Sequence, residues 1–273
     1  AARSCSAGAR PMAEVTGVGE ATMKTAGHVI GLGTTFGLYV ADGPAATTAH
    51  EIPLAKLVVP LDGAPVAMEG LAMASRRGPV WIAPRVRHAL ALPGASVTVL
   101  LDPRELPAEV AEGLGRAAVV GVDSRRREAV EAFARTLHDD PGVPGVIDEV
   151  RARFGDRPSP RLDRRIEAVL DHLGRRPEAS LDELATVAGV SRSHLSRRFR
   201  AVTGLTIRRH LQWQRLLVAL RRAAQGESLA DAAFGAGFSD QAHFTRVARA
   251  RVGRSPGELM RGNQVQDLPD AAA

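Results

Sequence analysis

The stretch SLDELATVAGVSRSHLSRRFRAVTG runs from Ser180 to Gly204, and a second stretch, SLADAAFGAGFSDQAHFTRVARARVG, runs from Ser228 to Gly253. Ser180 aligns with Ser228, Leu181 with Leu229, Ala185 with Ala233, Gly189 with Gly237 and Ser191 with Ser239. After one inserted residue, Leu195 aligns with Phe244, Arg197 with Arg246 and Gly204 with Gly253. Two copies of one supersecondary unit in a single chain are the first fact to explain. In the first copy Ser180 and Glu183 form an S-x-x-E capping box that opens a short helix. Leu181, Leu184 and Ala185 share its apolar face, Gly189 supplies a left-handed terminus and Val190 plugs the turn. Ser191, like Ser239 in the second copy, caps a second helix. There Leu195, Phe199 and Val202 recur at i, i+4 and i+7, so Ser193, Ser196, Arg197 and Arg200 stay off the buried face. An exposed helix carrying Arg and Ser suits a major groove, where Arg bonds guanine in bidentate fashion and Ser serves several bases. For one copy alone a surface helix in an ordinary bundle explains as much. The duplication with matched Arg positions favours the groove.

Between the copies, LTIRRHLQWQRLLVALRRAAQ (205–225) holds no Pro or Gly, and Ile207, Leu211, Leu217 and Leu220 recur at helical spacing. About twenty helical residues span about 30 Å, near the pitch of B-DNA, so the segment is a spacer able to set two recognition helices one turn apart. Trp213 reads as a core residue rather than a base-stacking platform.

From about Leu162 to Arg261 the sequence resembles the DNA-binding domain of AraC/XylS transcription regulators, above all in GVSRSHLSRRFRAVTGLT and GFSDQAHFTRVARARVGRSPGELMR. The resemblance implies two helix-turn-helix units joined by a long helix, with both recognition helices entering successive major-groove segments of one site. It implies base-facing roles for Ser193, Ser196 and Arg197 in the first unit and for Gln241, Ala242, Thr245 and Arg246 in the second. Ser191, Arg192, His194, Arg200 and Ser239 complete the expected DNA-contacting set. Two positions depart from the family. Ala248 stands where an aromatic residue equivalent to Phe199 is usual, which predicts looser packing of the second unit. Ala242 replaces a polar position, which trades a hydrogen bond for contact with a thymine methyl.

Charge follows the same division. Residues 158–261 carry +9 and residues 1–157 carry −1, within a total of +6. A basic excess confined to the duplicated half is the footprint expected for phosphate. Nearly all of it is Arg, since Lys24 and Lys56 are the only lysines.

With 273 residues, 45% of them hydrophobic, the chain can bury two cores. No run approaches the eighteen or so apolar residues of a membrane span, which predicts a soluble protein, and one cysteine, Cys5, leaves no internal disulfide, which fits a reducing cytoplasm; the DNA-binding reading adds a nucleoid-associated location. Residues 1–22 lack periodic apolar residues and read as a disordered extension, with Met12 or Met23 as the true start. Residues 23–156 form the next unit, 157–160 (RPSP) the linker, 161–262 the DNA-binding domain and 263–273 a disordered tail.

Between His28 and Asp102 the runs FGLYVA, AKLVVPL, APVAME, GPVWIA, HALAL and SVTVLLD alternate with Gly, Pro and Asp turns, as in an antiparallel sandwich or small barrel. The stretch 50–102 resembles the cupin-like sensor domain that precedes the DNA-binding domain in many AraC-type regulators. Residues 105–155 turn helical, with Leu114, Val130, Phe133, Leu137, Val146 and Val150 as core positions. The fold class expected is α+β in two domains: a β-rich cupin-like barrel with trailing helices, then an all-α domain of two helix-turn-helix motifs joined by a long helix. The resemblance implies a small-molecule effector, dimerisation through the N-terminal half and, for an activator, contact with RNA polymerase.

His50, Trp81 and His88 are the expected ligand-binding residues, at the mouth of the barrel. The alternative of another class is a metal-dependent cupin enzyme fused to a DNA-binding domain. It finds only His50 and His88 as ligands, because the H-x-H pair is broken by Ile52 and Glu51 faces the other way. No catalytic residue, metal or cofactor is expected. Gly31, Gly33 and Gly37 are one residue off a dinucleotide motif, and Arg125 to Arg127 read as a solvated face.

Overall fold

The structure, a computed structural model, describes residues 28–32, 36–141, 145–155, 163–177, 179–261 and 263–266. The expected extension 1–22 and linker 157–160 lie outside the described residues. Strands β1 (His28–Leu32), β2 (Phe36–Ala41), β3 (Ala45–Ala46), β4 (Ala55–Pro60), β5 (Pro65–Glu69), β6 (Ser75–Arg77), β7 (Val80–Ile82), β8 (Ala89–Leu92), β9 (Ser96–Leu101) and β10 (Val119–Gly121) build the N-terminal half, and β11 (Asn263–Gln266) closes the described chain. Helices α1 (Ala108–Arg116), α2 (Ser124–Asp139) and α3 (Val146–Phe154) trail the strands. The second half comprises α4 (Arg164–Arg175), α5 (Leu181–Ala188), α6 (Arg192–Thr203), α7 (Ile207–Ala224), α8 (Leu229–Gly235), α9 (Gln241–Val252) and α10 (Pro256–Met260).

The strands form two sheets, ordered β10-β7-β4-β9-β2-β1-β11 and β3-β8-β5-β6. Side chains alternate across the larger sheet. Leu57 and Val59 of β4 and Val97, Val99 and Leu101 of β9 pack with Trp81 against Val130, Phe133 and Leu137 of α2 and Val150 and Phe154 of α3. Val58, Val80 and Ile82 point the other way, onto Val66, Met68, Leu90 and Leu92 of the smaller sheet. Covered on both faces, β4 has all six residues buried, including Lys56. The glycines Gly31 and Gly37 sit on the antiparallel pair β1 and β2, a hairpin and not a phosphate-binding βαβ unit.

Both helix-turn-helix units form as the repeat predicts. Gly189 and Gly204 close α5 and α6 in the left-handed conformation, and Gly253 closes α9 in the same way. Two local expectations need correction. Ser180 caps α5 by accepting from the Glu183 amide, but the Glu183 carboxylate turns to His172 and Arg176, so the box is half made. A complete box occurs at Ser255 and Glu258 instead. The cap of α9 is Asp240, not Ser239, because the inserted residue shifts the cap by one; the Ser239 hydroxyl donates to Asp240. Ala248 leaves no gap in the exposure pattern: it is fully buried beside Phe238 and Phe244, with Trp213 and Leu216 in the same cluster.

The tail beyond residue 262 begins as a strand rather than as disorder, with β11 parallel to β1 and Val265 opposite Ile30. The two halves also share a core, since Ile52 and Leu54 of the barrel cluster with Trp213, Leu217, Leu220 and Phe244. At the same junction the Thr48 amide and hydroxyl both donate to the Gly253 carbonyl at 3.0 Å, and the Glu51 amide donates to Ala250 at 3.0 Å. Gly253 has φ +77°, and a Cβ there would lie 2.7 Å from both His50 Nδ1 and the Thr47 Cβ. Gly189 has a similar φ, +62°, with open space around it. Gly189→Ala should therefore cost about 1–2 kcal/mol from the left-handed backbone alone, and Gly253→Ala measurably more. Urea unfolding of the two variants checks this; equal losses would mean that the α9 terminus is not held against the barrel.

Candidate nucleic-acid interface and interdomain cavity

The polar face of α6 is open: Ser191, Arg192, Ser193, His194, Ser196, Arg197 and Arg200 are exposed, while Leu195 and Phe199 are fully buried beneath them. The second unit repeats the pattern, with Ser239, Gln241, Ala242 and Arg246 exposed, Thr245 half-buried and Phe244 fully buried. Arg192 is engaged by Asp182. Arg197 and Arg246 make no hydrogen bond or ion pair among the described residues, so both guanidiniums keep all their donors for another molecule. The backbone hydrogen bonds from the barrel reach α9 at its C-terminal end, through Ala250 and Gly253, while Gln241, Ala242 and Arg246 on its recognition face stay exposed. Helix α7, eighteen residues and so about 27 Å long, separates the units.

The barrel interior holds a second constellation. His50 and His88 form a cross-strand bridge, each amide donating to the other's carbonyl at 3.0 Å, with ring centroids 4.7 Å apart. His50 Nδ1 donates to the Thr48 carbonyl and His88 Nδ1 to the Val86 carbonyl, both at 2.8 Å. Those bonds fix the tautomers, because a carbonyl only accepts, and they turn both Nε2 lone pairs inward. Lys56 Nζ bonds both, His88 Nε2 at 3.0 Å and His50 Nε2 at hydrogen-bonding range. Lys56 has no carboxylate partner among the described residues. Burial holds its amine down to about 7. Burial, then the neighbouring Lys56, likewise hold His50 down to about 3 and His88 to about 4.

Lys56 and His50 open onto a cavity of about 100 Å³ lined by Leu38, Tyr39, Leu90 and Leu100 of the barrel and by Leu220, Val252, Arg254, Leu259 and Met260 of the helical half. Arg254 spans its rim, donating to the Tyr39 hydroxyl at 2.6 Å and to the Ala46 carbonyl at 3.0 Å. Of the expected ligand residues, His50 lines this cavity and His88 stands behind it. Trp81 is elsewhere, on the opposite face of the sheet, edge-on to Phe154 at 5.3 Å. Lys56 was not among the expected ligand residues, although a lone lysine inside an apolar strand is a signal in the sequence. The same residue bears on the metal alternative: the space between the two imidazoles is taken by an amine, and two histidines fall short of the three ligands a catalytic zinc uses.

Comparison with known proteins agrees with this geometry. Residues 184–262 match the family described as a helix-turn-helix domain. The probable transcription factor PqrA of Proteus vulgaris is 30% identical over 96 residues, which cover 35% of this chain and 79% of PqrA. The chain belongs to the AraC/XylS family of transcription regulators. The transcriptional activator RhaS of Enterobacter sp. (strain 638) is 34% identical over 105 residues, 37% of this chain and 36% of its own length. Across nearly the whole fold, the structure of ToxT from Vibrio cholerae bound to an unsaturated fatty acid superposes with TM-score 0.51 at 13% identity, covering 84% of this chain and 95% of ToxT. The chain is thus a DNA-binding transcription regulator, and among its described residues no helix is long and apolar enough to cross a membrane.

The buried histidines give the protein an acid-side signature. His210, packed edge-on to Phe199, is held by burial to about 4, as His50 and His88 are held low. On unfolding each returns to about 6.5, so below that pH the unfolded chain binds protons the native state refuses, and stability falls as pH falls. The urea midpoint should therefore drop already between about pH 6.5 and 5.5, above most of the carboxylate titration. The slope should be shallower in His210→Gln. A flat profile over that interval would contradict the neutral, buried assignment.

Proposed function

We propose that the regulator reads an asymmetric duplex site with both recognition helices at once, and that a compact apolar small molecule in the interdomain cavity sets its DNA affinity. The observation that carries the reading is the pairing of two open recognition faces with one cavity built from both halves of the chain. Ser193, Ser196 and Arg197 would face one major-groove segment, and Gln241, Ala242, Thr245 and Arg246 the next, with Ala242 suited to a thymine methyl. The remaining exposed Arg side chains and the helix N-termini would hold phosphates. For the effector, the apolar lining and the single buried amine support a ligand with an apolar body and one polar end. ToxT, of the same fold, has been captured with an unsaturated fatty acid and with a naphthalenyl butenoic acid. Self-association through the N-terminal half, contact with RNA polymerase and a cytoplasmic, nucleoid-associated location are further parts of the proposal, supported by the family.

Footprinting and titration of the full-length protein test base reading. Arg197→Ala and Arg246→Ala should each cost about 1–3 kcal/mol on the specific site and relax sequence preference in one groove segment only, the two segments lying about 10 base pairs apart. Affinity should fall steeply with salt, as a +9 domain releases counterions from the phosphates it neutralises. Equal losses on specific and random DNA for both variants would reassign these residues to the backbone.

A further inference from the structure

We propose that Lys56 is a carbonyl-reactive amine, and that the interdomain cavity takes a compact apolar aldehyde and holds it covalently as an imine on Nζ. The inference rests on the reading of that cavity as an effector site and adds the chemistry of capture. Its basis is the hydrogen bonding around Nζ. An ammonium has three donors and a charge; Lys56 has two acceptors, His50 Nε2 and His88 Nε2, and no counter-ion among the described residues. A neutral amine has two N–H donors and one lone pair. The two histidines match that form: they take both N–H groups and leave the lone pair for a third direction, and Nζ belongs to a residue that lines the cavity.

Further observations point the same way. Of 36 basic side chains only Lys56 and Lys24 are lysines, and a guanidinium at position 56 would stay charged and form no imine. Desolvation without a compensating charge, which holds Lys56 down to about 7, is a known way of activating a lysine nucleophile. Roughly half the residue is then free amine at neutral pH, about a thousandfold more than for a lysine of ordinary pKa. The cavity, about 100 Å³, is smaller than the 150 Å³ that holds benzene in an engineered core, which favours a short alkyl aldehyde.

The step balances without an oxidant or reductant. The Nζ lone pair forms the bond to the carbonyl carbon and the carbonyl π electrons move to oxygen. Both N–H protons pass to that oxygen, and water leaves as the C=N bond closes. His50 and His88 then lose the donors they shared. A protonated imine restores one N–H and so can serve only one of them. His50 is tied to the Thr48 carbonyl, and Thr48 in turn holds the Gly253 carbonyl at the end of α9. Capture at Lys56 thereby reaches the second recognition helix through three hydrogen-bonded steps.

The test treats the full-length protein at pH 7 with hexanal and cyanoborohydride, which fixes an imine as a secondary amine, and maps the modified peptides. Lys24 is the internal reference. In parallel, thermal unfolding with n-hexanol, which fills the cavity but forms no imine, reports occupancy alone. The expected result is one hexyl group on Lys56, exceeding that on Lys24 by at least about tenfold, suppressed by excess n-hexanol. Lys56→Arg should keep the n-hexanol shift and lose the hexanal stabilisation that survives dialysis; should that variant not fold, mapping of the unaltered protein decides. Stabilisation by n-hexanol with no label on Lys56 would overturn covalent capture and leave the effector cavity standing. No stabilisation by n-hexanol together with no label would overturn both.

Discussion

The carbonyls at the C-terminus of α9 have no partner within their own helix, as at any helix end, and here the Gly253 and Ala250 oxygens are met by the Thr48 and Glu51 groups of the barrel instead of by water. Each such bond contributes only about 0.5–1.5 kcal/mol net, but a buried carbonyl left unpaired costs about 1–3 kcal/mol, so the contact is easier to keep than to break singly. Much else follows from it. Residue 253 must be glycine on two counts, for its positive φ and for the approach of His50 and Thr47. Ile52 and Leu54, just beyond the gripping loop, enter the core of the second helix-turn-helix unit and bind the halves by apolar contact as well. The cavity exists because the two halves meet there, and Arg254, immediately after the glycine, reaches back across its rim to Tyr39 and Ala46.

The helical half was legible because its determinants are local. Caps, left-handed glycines and i, i+4 spacing act within one or two turns, and the repeat states them twice; the buried Leu195, Phe199 and Phe244 and the open Arg197 and Arg246 lie where the pattern puts them. The errors were also local in origin. An S-x-x-E pattern does not say whether its Glu has a better partner, and Glu183 has two in His172 and Arg176. One inserted residue was enough to pass the capping role from Ser239 to Asp240. Ala248 looked like a packing defect only when compared with its repeat mate; in three dimensions Phe238 and Trp213 belong to the same cluster.

The barrel was legible as strands and not as a site. A strand covered on both faces reads as a nearly continuous apolar run, which hides which side each residue faces. Trp81 was therefore expected at the cavity and lies on the helix-covered face, while Lys56, one residue out of phase with Leu57, points into the interior between Ile82 and Leu100 of the neighbouring strands. His50 and His88 were found because histidine is conspicuous. Their partner was not, because a lone lysine in an apolar strand does not say that two histidines from outside that strand will enclose it. The return of β11 to β1 spans almost the full length of the chain and has no local signal.

The arrangement constrains how any ligand could act. A ligand moves an equilibrium only by the difference in its affinity for the two states, however tightly it binds. A pocket wholly inside the barrel would look nearly the same whether α9 was held or released, and its occupant would have little leverage on DNA. The interdomain cavity differs, since Leu220, Val252, Arg254, Leu259 and Met260 supply one wall and the barrel the other. Release of the helical half removes that wall, so an occupant binds the docked state better by the contacts it makes there. By reciprocity, DNA that prefers the docked state would tighten such a ligand by the same factor as the ligand tightens the DNA, and DNA that prefers the released state would weaken it. For an occupant of that cavity, the sign of regulation would follow which of the two states the target DNA prefers.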